Sequence, residues 1–272
     1  MKKIITLIAS AALMLAGADI ARAYGISNHA TVAYIAEQHM TPKALKNFHK
    51  AFDNHPLVEY ASYPDFYRAI YTIDGKRIGH LVKLDENMYP VPQNGKGNKA
   101  LNAYDGILRA IDQLKDYRNL DDSTKVTAMA LLVHFMGDSH CPSHLSYADK
   151  RDKITNIYYK KYMYDKKEQP EKIGYHGFWD SWCSDMRYPV GYMERARYFD
   201  TITDKKEIKK IQEGTVEDWI HDSAVVCQDI YDVEEEQLVD RVYITRKAEV
   251  VAIQVRNAGY RLAAVMNELF SK

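Results

Sequence analysis

The chain has 272 residues, and its 37 basic and 37 acidic side chains cancel. That balance excludes a strong overall field for nucleic acid or anionic membrane, so any electrostatic attraction has to be local. Three cysteines, an odd number, exclude a small disulfide-built scaffold; Cys183 and Cys227 are free either to pair or to stay as buried thiols.

Lys2 and Lys3 precede an apolar run from Ile4 to Gly17, and the small-residue stretch Ala21-Arg22-Ala23 follows. This is the pattern of a secretory signal peptide over residues 1–23. The run is too short to span a bilayer, and no later stretch reaches the roughly 20 apolar residues that a spanning helix needs. The mature chain is therefore expected to begin at Tyr24, exported to the periplasm or the extracellular medium. No Pro/Gly/Ser-rich linker divides residues 24–272, which points to one domain.

From residue 28 to 38, Val32, Ile35 and Ala36 give the first helical face. Thr41-Pro42 then reads as an N-cap followed by proline at the first helical position, opening a second helix that runs to Phe52. Further helices are predicted over 100–118, 122–138, 178–187, 206–213, 216–229 and 245–270. The last carries Val250, Ile253, Gln254, Asn257, Ala258, Arg261, Leu262, Val265 and Leu269 on a broad inner face. Strand-type alternation is scarce, with 71–82 and 154–163 the candidate hairpins. The expected fold is all-α, a single multi-helix domain with at most short β-hairpins.

Chemistry concentrates in HFMGDSHCPSH, residues 134–144. On a helix His134 and Asp138 stand one turn apart on one face, so imidazole and carboxylate converge. His144 lies just past Pro142, where the helix has ended and the chain is free to swing toward a second ion. Alone, this pair reads more readily as histidines solvated or satisfied within a core than as a metal site. GYHGFWDSW repeats the spacing with His176 and Asp180, and the repetition argues for a shared metal cluster. Imidazole and carboxylate donors without cysteine pairs fit catalytic zinc rather than a closed structural site. Tyr24-Gly25-Ile26-Ser27-Asn28-His29 adds a third element, because signal-peptide removal would expose an α-amine beside a carbonyl, with His29 one helical turn on. His140 falls on a different face from His134 and Asp138 and reads as a hydrogen-bonding or structural residue. His39, His49, His55 and His221 fit no ligand pattern, and Trp179, Trp182 and Trp219 read as packing.

The ordered set YGISNHATVAYIA, PDFYR, GHLV, HFMGDSHCPSH, HGFWD, WIHDS and QVRNAGYRLAAVMN spans nearly all of the chain from Tyr24. In this it resembles the S1/P1 nuclease family, trinuclear-zinc single-strand nucleases related to zinc-dependent phospholipase C. The resemblance implies three zinc ions. Asp65, His80, His134 and Asp138 would hold the first, and Asp138 would bridge to a second held by the Tyr24 amine and carbonyl and by His29. His144, His176 and Asp180 would hold the third. It further implies catalytic roles for Asp65, a ligand of the first ion, for Asp138, the carboxylate that bridges two ions, and for Arg68 in neutralising charge on the phosphoryl group. Metal-bound hydroxide would attack phosphorus and leave 5′-phosphate ends on single-stranded DNA or RNA, with 3′-nucleotides as further substrates; no protein partner is implied.

Departures from the family pattern keep other readings open. Tyr24 stands where the family has Trp, Leu81 follows His80 in place of an aromatic that stacks on a base, and Gly174 replaces an Asn. The Gly-Gly-Asn loop between His144 and His176 gives way to a lysine- and tyrosine-rich stretch, 147–172, which reads either as a solvated hairpin or as a substrate-facing flap. One alternative is a phospholipase C or other phosphoesterase taking a phospholipid headgroup. The other, from a different class, is a metal-holding binding protein that has lost catalysis.

Overall fold

The computed structural model describes residues 24–67, 72–73, 75–93, 100–148, 154–162 and 168–272. The signal segment 1–23 and Arg68 lie outside the described residues. The long helices are α1 (Ile26–Gln38), α2 (Pro42–Ala51), α5 (Ala103–Leu114), α6 (Asp122–Asp138), α11 (Val216–Cys227) and α12 (Arg241–Phe270). Shorter ones are α3 (Val58–Ala61), α4 (Tyr63–Phe66), α7 (Tyr175–Gly177), α8 (Cys183–Arg187), α9 (Tyr192–Phe199) and α10 (Lys205–Gln212). The fold is all-α, with little strand.

Helix starts follow local chemistry. Thr41 caps α2 by accepting from the Ala44 N–H, and Asp121 caps α6 by accepting from Thr124. Asn102 with Asp105, and Thr215 with Asp218, close reciprocal capping boxes at α5 and α11. Helices α3, α4 and α9 are absent from the sequence expectation. The first two are single turns, too short for periodicity to register. The inner face of α9 includes a buried arginine, Arg195, which breaks the apolar pattern.

Helix α12, about 45 Å long at 1.5 Å per residue, is the spine. Ala248, Val251, Val255, Ala258, Leu262, Val265 and Leu269 are buried along it, and α1, α2, α8, α9 and α10 pack against it. Helix α6 is central in a different way: every residue from Ala128 to Asp138 is buried. A helix apolar on all sides is one enclosed by others, which is why His134 and Asp138 at its end are 0% exposed.

Strands serve to place the site. β1 (Thr72–Ile73) and β2 (Lys76–Arg77) pair antiparallel, as expected for the first hairpin segment. β3 (Val82–Lys83) pairs in parallel with β4 (Leu145–Ser146), which fixes His80, just before one strand, beside His144, just before the other. β5 (Asn156–Tyr162) pairs antiparallel with β6 (Glu168–Gly174) and in parallel with β7 (Leu238–Val239). The second hairpin is thus longer than the sequence suggests. Its partner strand is rich in charge and contains proline, a composition that reads as loop, and the strand leads directly into α7.

The helix expected over 178–187 forms with a difference: Phe178–Trp182 is a π-helical turn between α7 and α8. Such turns occur mostly as isolated features, frequently at functional sites. Asp180 sits in its middle.

Candidate metal centre

Four elements converge on Asp138 at the C-terminal end of α6. Its Oδ2 lies 3.0 Å from His80 Nδ1 and 3.4 Å from His134 Nε2, and its Oδ1 lies 3.3 Å from His29 Nε2 and 3.2 Å from His144 Nδ1. One carboxylate therefore faces imidazoles from both of its oxygens. Asp65, on α4, adds Oδ1 at 3.7 Å from His134 Nε2. A second carboxylate centre lies beside the first: Asp180 Oδ1 is 3.2 Å from His144 Nε2, and its Oδ2 is 3.3 Å from His176 Nε2. His144 thus stands between the two aspartates, one ring nitrogen toward each.

The rings are stacked as well as convergent. His29 lies over His134 with centroids 4.1 Å apart, and His144 over His176 at 4.9 Å. His134 Nδ1 meets the Ala61 carbonyl at 2.9 Å, which orients the ring and leaves Nε2 toward the carboxylates.

Burial and charge compete here. Desolvation pushes the Asp138 carboxyl upward, but the facing His134 and His144 outweigh it and hold the group well below the usual carboxylate range. Burial depresses His144 too, yet Asp138 and Asp180 on either side overcome it and raise the imidazole to about 10. His134 goes the other way, driven well down by burial despite Asp138, and with His29 and His80 adding to the fall. His176 is also lowered, chiefly by burial and next by His144.

The donor set fits divalent metal. His29 Nε2, Asp138 Oδ1, His144 Nδ1 and Asp180 Oδ2 are buried and lack a hydrogen-bond partner, although each has an oppositely suited atom 3.2–3.3 Å away. Leaving such polar atoms unsatisfied is costly, and a cation between them offsets that cost. Three sets of donor atoms, His29 with His134 and Asp138, Asp65 with His80 and His134, and Cys141 with His144 and Asp180, each fall within 4.8 Å of one another. Nitrogen and oxygen dominate, which suits zinc in open sites.

His29, Asp65, His80, His134, Asp138, His144, His176 and Asp180 are therefore all brought together. Tyr24 joins them through its side chain: the ring is fully buried, edge-on to His29 at 5.9 Å, and its hydroxyl donates to the Val251 carbonyl at 3.3 Å. His140 turns away. Its Nδ1 donates to the Met136 carbonyl at 2.9 Å and its Nε2 accepts from Arg261 at 3.0 Å; burial, with Arg261 beside it, holds it neutral with a pKa of about 3. His39, His49 and His55 pair with Asp200, Glu37 and Glu59, and His221 stacks on Tyr89. Trp219 donates to the Glu213 carbonyl, consistent with packing. The three cysteines are buried free thiols.

Several supporting residues carry no obvious sequence signal. Asn28 donates from Nδ2 to the Asp180 carbonyl at 2.8 Å and accepts at Oδ1 from Arg195 at 2.9 Å. Arg195 also reaches the Tyr188 carbonyl and Asp185, so α1 and α9 clamp the π-helical turn that presents Asp180. Asn28 precedes a candidate ligand in sequence and was open to notice; Arg195 was not. Beside His176 a cavity of about 200 Å³ is lined by both apolar and polar side chains, among them Leu81, Ile154, Trp179, Ser143 and Ser146.

The S1/P1 nuclease family matches residues 24–271, almost the whole described chain and every residue of the carboxylate and imidazole cluster. A curated relative, Nuclease PA3 of Penicillium sp, is 26% identical over 283 residues, covering 90% of this chain and 97% of that protein. With its two aspartate-centred histidine clusters at the heart of a match this long, the chain belongs to the S1/P1 nuclease family and is a phosphodiesterase hydrolase.

Proposed function

We propose that the protein is an exported nuclease that hydrolyses single-stranded DNA or RNA to 5′-phosphate ends and also acts on 3′-nucleotides, with three zinc ions in its centre. The observation that carries this reading is Asp138, whose two oxygens each face a different pair of imidazoles. Asp65, His80, His134 and Asp138 would hold one ion, and Asp138, His29 and the Tyr24 amine and carbonyl a second. His144, His176 and Asp180 would hold the third. Zinc in such donor sets supplies Lewis acidity toward phosphoryl oxygens and lowers the pKa of water from 15.7 to about 7.

The chain's own contribution is charge, order and dryness. Three aspartates, Asp65, Asp138 and Asp180, balance the cations in part and leave net positive charge for a phosphate. Asp138, with both oxygens facing imidazoles, would serve two ions at once and so keep them neighbours. The His144 ring, with one nitrogen 3.2 Å from each of Asp138 and Asp180, links the two carboxylate centres. Arg68, three residues past Asp65, would neutralise charge developing on the phosphoryl group, a role that rests on the sequence motif. The cavity beside His176 mixes apolar walls with polar groups such as Ser143 and Ser146, a lining that would suit a base or a sugar of the substrate. Export is supported by the signal-peptide pattern of residues 1–23, whose removal would free the Tyr24 amine.

A second reading, a phospholipase C on the same centre, is favoured by one feature. Leu81, 40% exposed at the cavity rim, gives no aromatic platform for a base, and stacking of that kind contributes about 1–3 kcal/mol per base. Hydrolysis of single-stranded DNA, RNA, a 3′-nucleotide and phosphatidylcholine by one zinc-loaded preparation decides between them. Turnover of nucleic acid with inert phospholipid supports the nuclease; the reverse overturns it.

A further inference from the structure

The ordered motifs of the chain leave Cys141 without a task, although it stands between Asp138 and His144. Its thiol is fully buried, and Sγ lies 3.4 Å from Asp180 Oδ1. The donor atoms of Cys141, His144 and Asp180 all lie within 4.8 Å of one another. Asp180, at 2% exposure, also carries a buried Oδ2 without a hydrogen-bond partner, 3.3 Å from His176 Nε2, while the His144 ring turns its Nε2 to Asp180 Oδ1 at 3.2 Å.

The separations carry more weight than the proximity. A tetrahedral zinc shell with Zn–S of about 2.3 Å and Zn–N or Zn–O of about 2.1 Å has edges of about 3.6 Å between sulfur and oxygen and about 3.4 Å between nitrogen and oxygen. About Asp180 Oδ1 the observed separations are 3.4 Å to Cys141 Sγ and 3.2 Å to His144 Nε2, and His176 Nε2 stands 3.3 Å from the other oxygen, Oδ2. Backbone geometry holds the thiol there: a residue before proline is confined to extended conformation, and Cys141, preceding Pro142, has φ −77° and ψ 124°. Ser143 donates to the same Asp180 oxygen at 3.0 Å, so the carboxylate keeps a hydrogen bond when sulfur takes up the metal.

We infer that Cys141 is a fourth protein ligand, through its thiolate, of the ion held by His144, His176 and Asp180, an inference that rests on the three-ion reading above. Ligation replaces the S–H bond by a sulfur–metal bond and releases the proton to solvent. A fourth protein donor, and an electron-rich one, takes a coordination position that an open catalytic zinc leaves to water or substrate. The third ion in this chain then anchors phosphate less strongly and serves more to lock the 175–187 segment to the end of α6.

The test uses the mature chain loaded with cobalt(II) in place of zinc, and the zinc form in X-ray absorption. The expected result is a thiolate-to-cobalt charge-transfer band in the near ultraviolet and one sulfur scatterer per three zinc ions. The band should vanish in Cys141→Ser and persist when Cys183 and Cys227 are both changed to Ser. Cys141→Ser should also weaken binding of one ion by at least about tenfold, the lower end of what disturbing a metal's supporting shell costs. Three bound ions with no sulfur signal in the wild-type protein would overturn the role of Cys141 alone. Fewer than three ions and no sulfur signal would overturn both it and the three-ion reading. The wild-type spectra decide the matter even if Cys141→Ser does not fold.

Discussion

His29 lies so close against Gly137 that a Cβ on the glycine would stand 2.6 Å from His29 Nδ1 and 3.0 Å from its Cε1. The contact seats α1 on the backbone of α6 one residue before Asp138. It also explains why a glycine occurs in a fully buried helical turn, where alanine is ordinarily better by about 1 kcal/mol. Gly137→Ala is therefore expected to push the imidazole off Asp138 despite the gain in helix propensity. The mutant should lose about one zinc per chain and at least tenfold in turnover, an estimate in the range reported for disturbed metal-supporting residues. Unchanged zinc content by elemental analysis, with unchanged activity, would show that His29 is not placed by this contact.

Much of this arrangement was legible beforehand, for identifiable reasons. His134 with Asp138 and His176 with Asp180 are spaced by one helical turn, a local relation that sequence records directly. Asp65 was reached through motif resemblance and His29 through its place one turn past the expected mature N-terminus, since nothing local ties either to α6. The π-helical turn at Phe178–Trp182 was not legible, because the insertion of a wider turn leaves the residue order unchanged. Arg195 was missed because its partners, Asn28, Asp185 and the Tyr188 carbonyl, come from separate elements. The approach of Cys141 to Asp180 was not legible either, because the two are 39 positions apart.

Arg195 gives a prediction about stability that is separate from metal. It is 1% exposed, and its removal takes a charged donor from both Asn28 Oδ1 and the Tyr188 carbonyl, leaving them the Ser184 hydroxyl and the Val190 N–H. Breaking a buried charged pair by deleting one partner typically costs about 3–5 kcal/mol; since Asp185 is half exposed, the lower end is expected for Arg195→Met. Urea unfolding of the zinc-loaded protein measures it. A loss below about 1 kcal/mol, within the range of ordinary surface changes, would contradict the clamp.

In the metal-free protein, pH should act through His144. Its pKa in the fold is raised to about 10 by Asp138 and Asp180, against desolvation, from an ordinary value of 6.5. A raised pKa stabilises the fold fully below the unfolded value, and the contribution is lost as pH rises toward and through about 10. Asp138, held low, acts with the opposite sign and loses its contribution only in acid. Chelator-treated protein is thus expected to lose stability progressively from pH 7 to 10, while the zinc-loaded form, with the imidazole already deprotonated for coordination, declines less. Parallel curves for the two forms in urea unfolding would rule this out.

The N-terminus that signal-peptide removal would create at Tyr24 supplies the last prediction. Gly25, at φ 54°, directs the backbone over α1 in a conformation that favours glycine, and a Cβ there would lie 2.5 Å from the Ser181 Cβ. With the Tyr24 ring locked under Val251 and against His29, the residue has little freedom to shift. If the Tyr24 amine and carbonyl chelate the second ion, one added residue converts the amine into an amide, whose nitrogen is a poor donor at neutral pH. An Ala-extended chain should bind about one zinc fewer and lose most of its activity, and trimming the added alanine with an aminopeptidase should restore both. Full activity and unchanged zinc in the extended chain would remove Tyr24 from the ligand set while leaving the roles of Asp138 and Asp180 intact, since neither depends on where the chain begins.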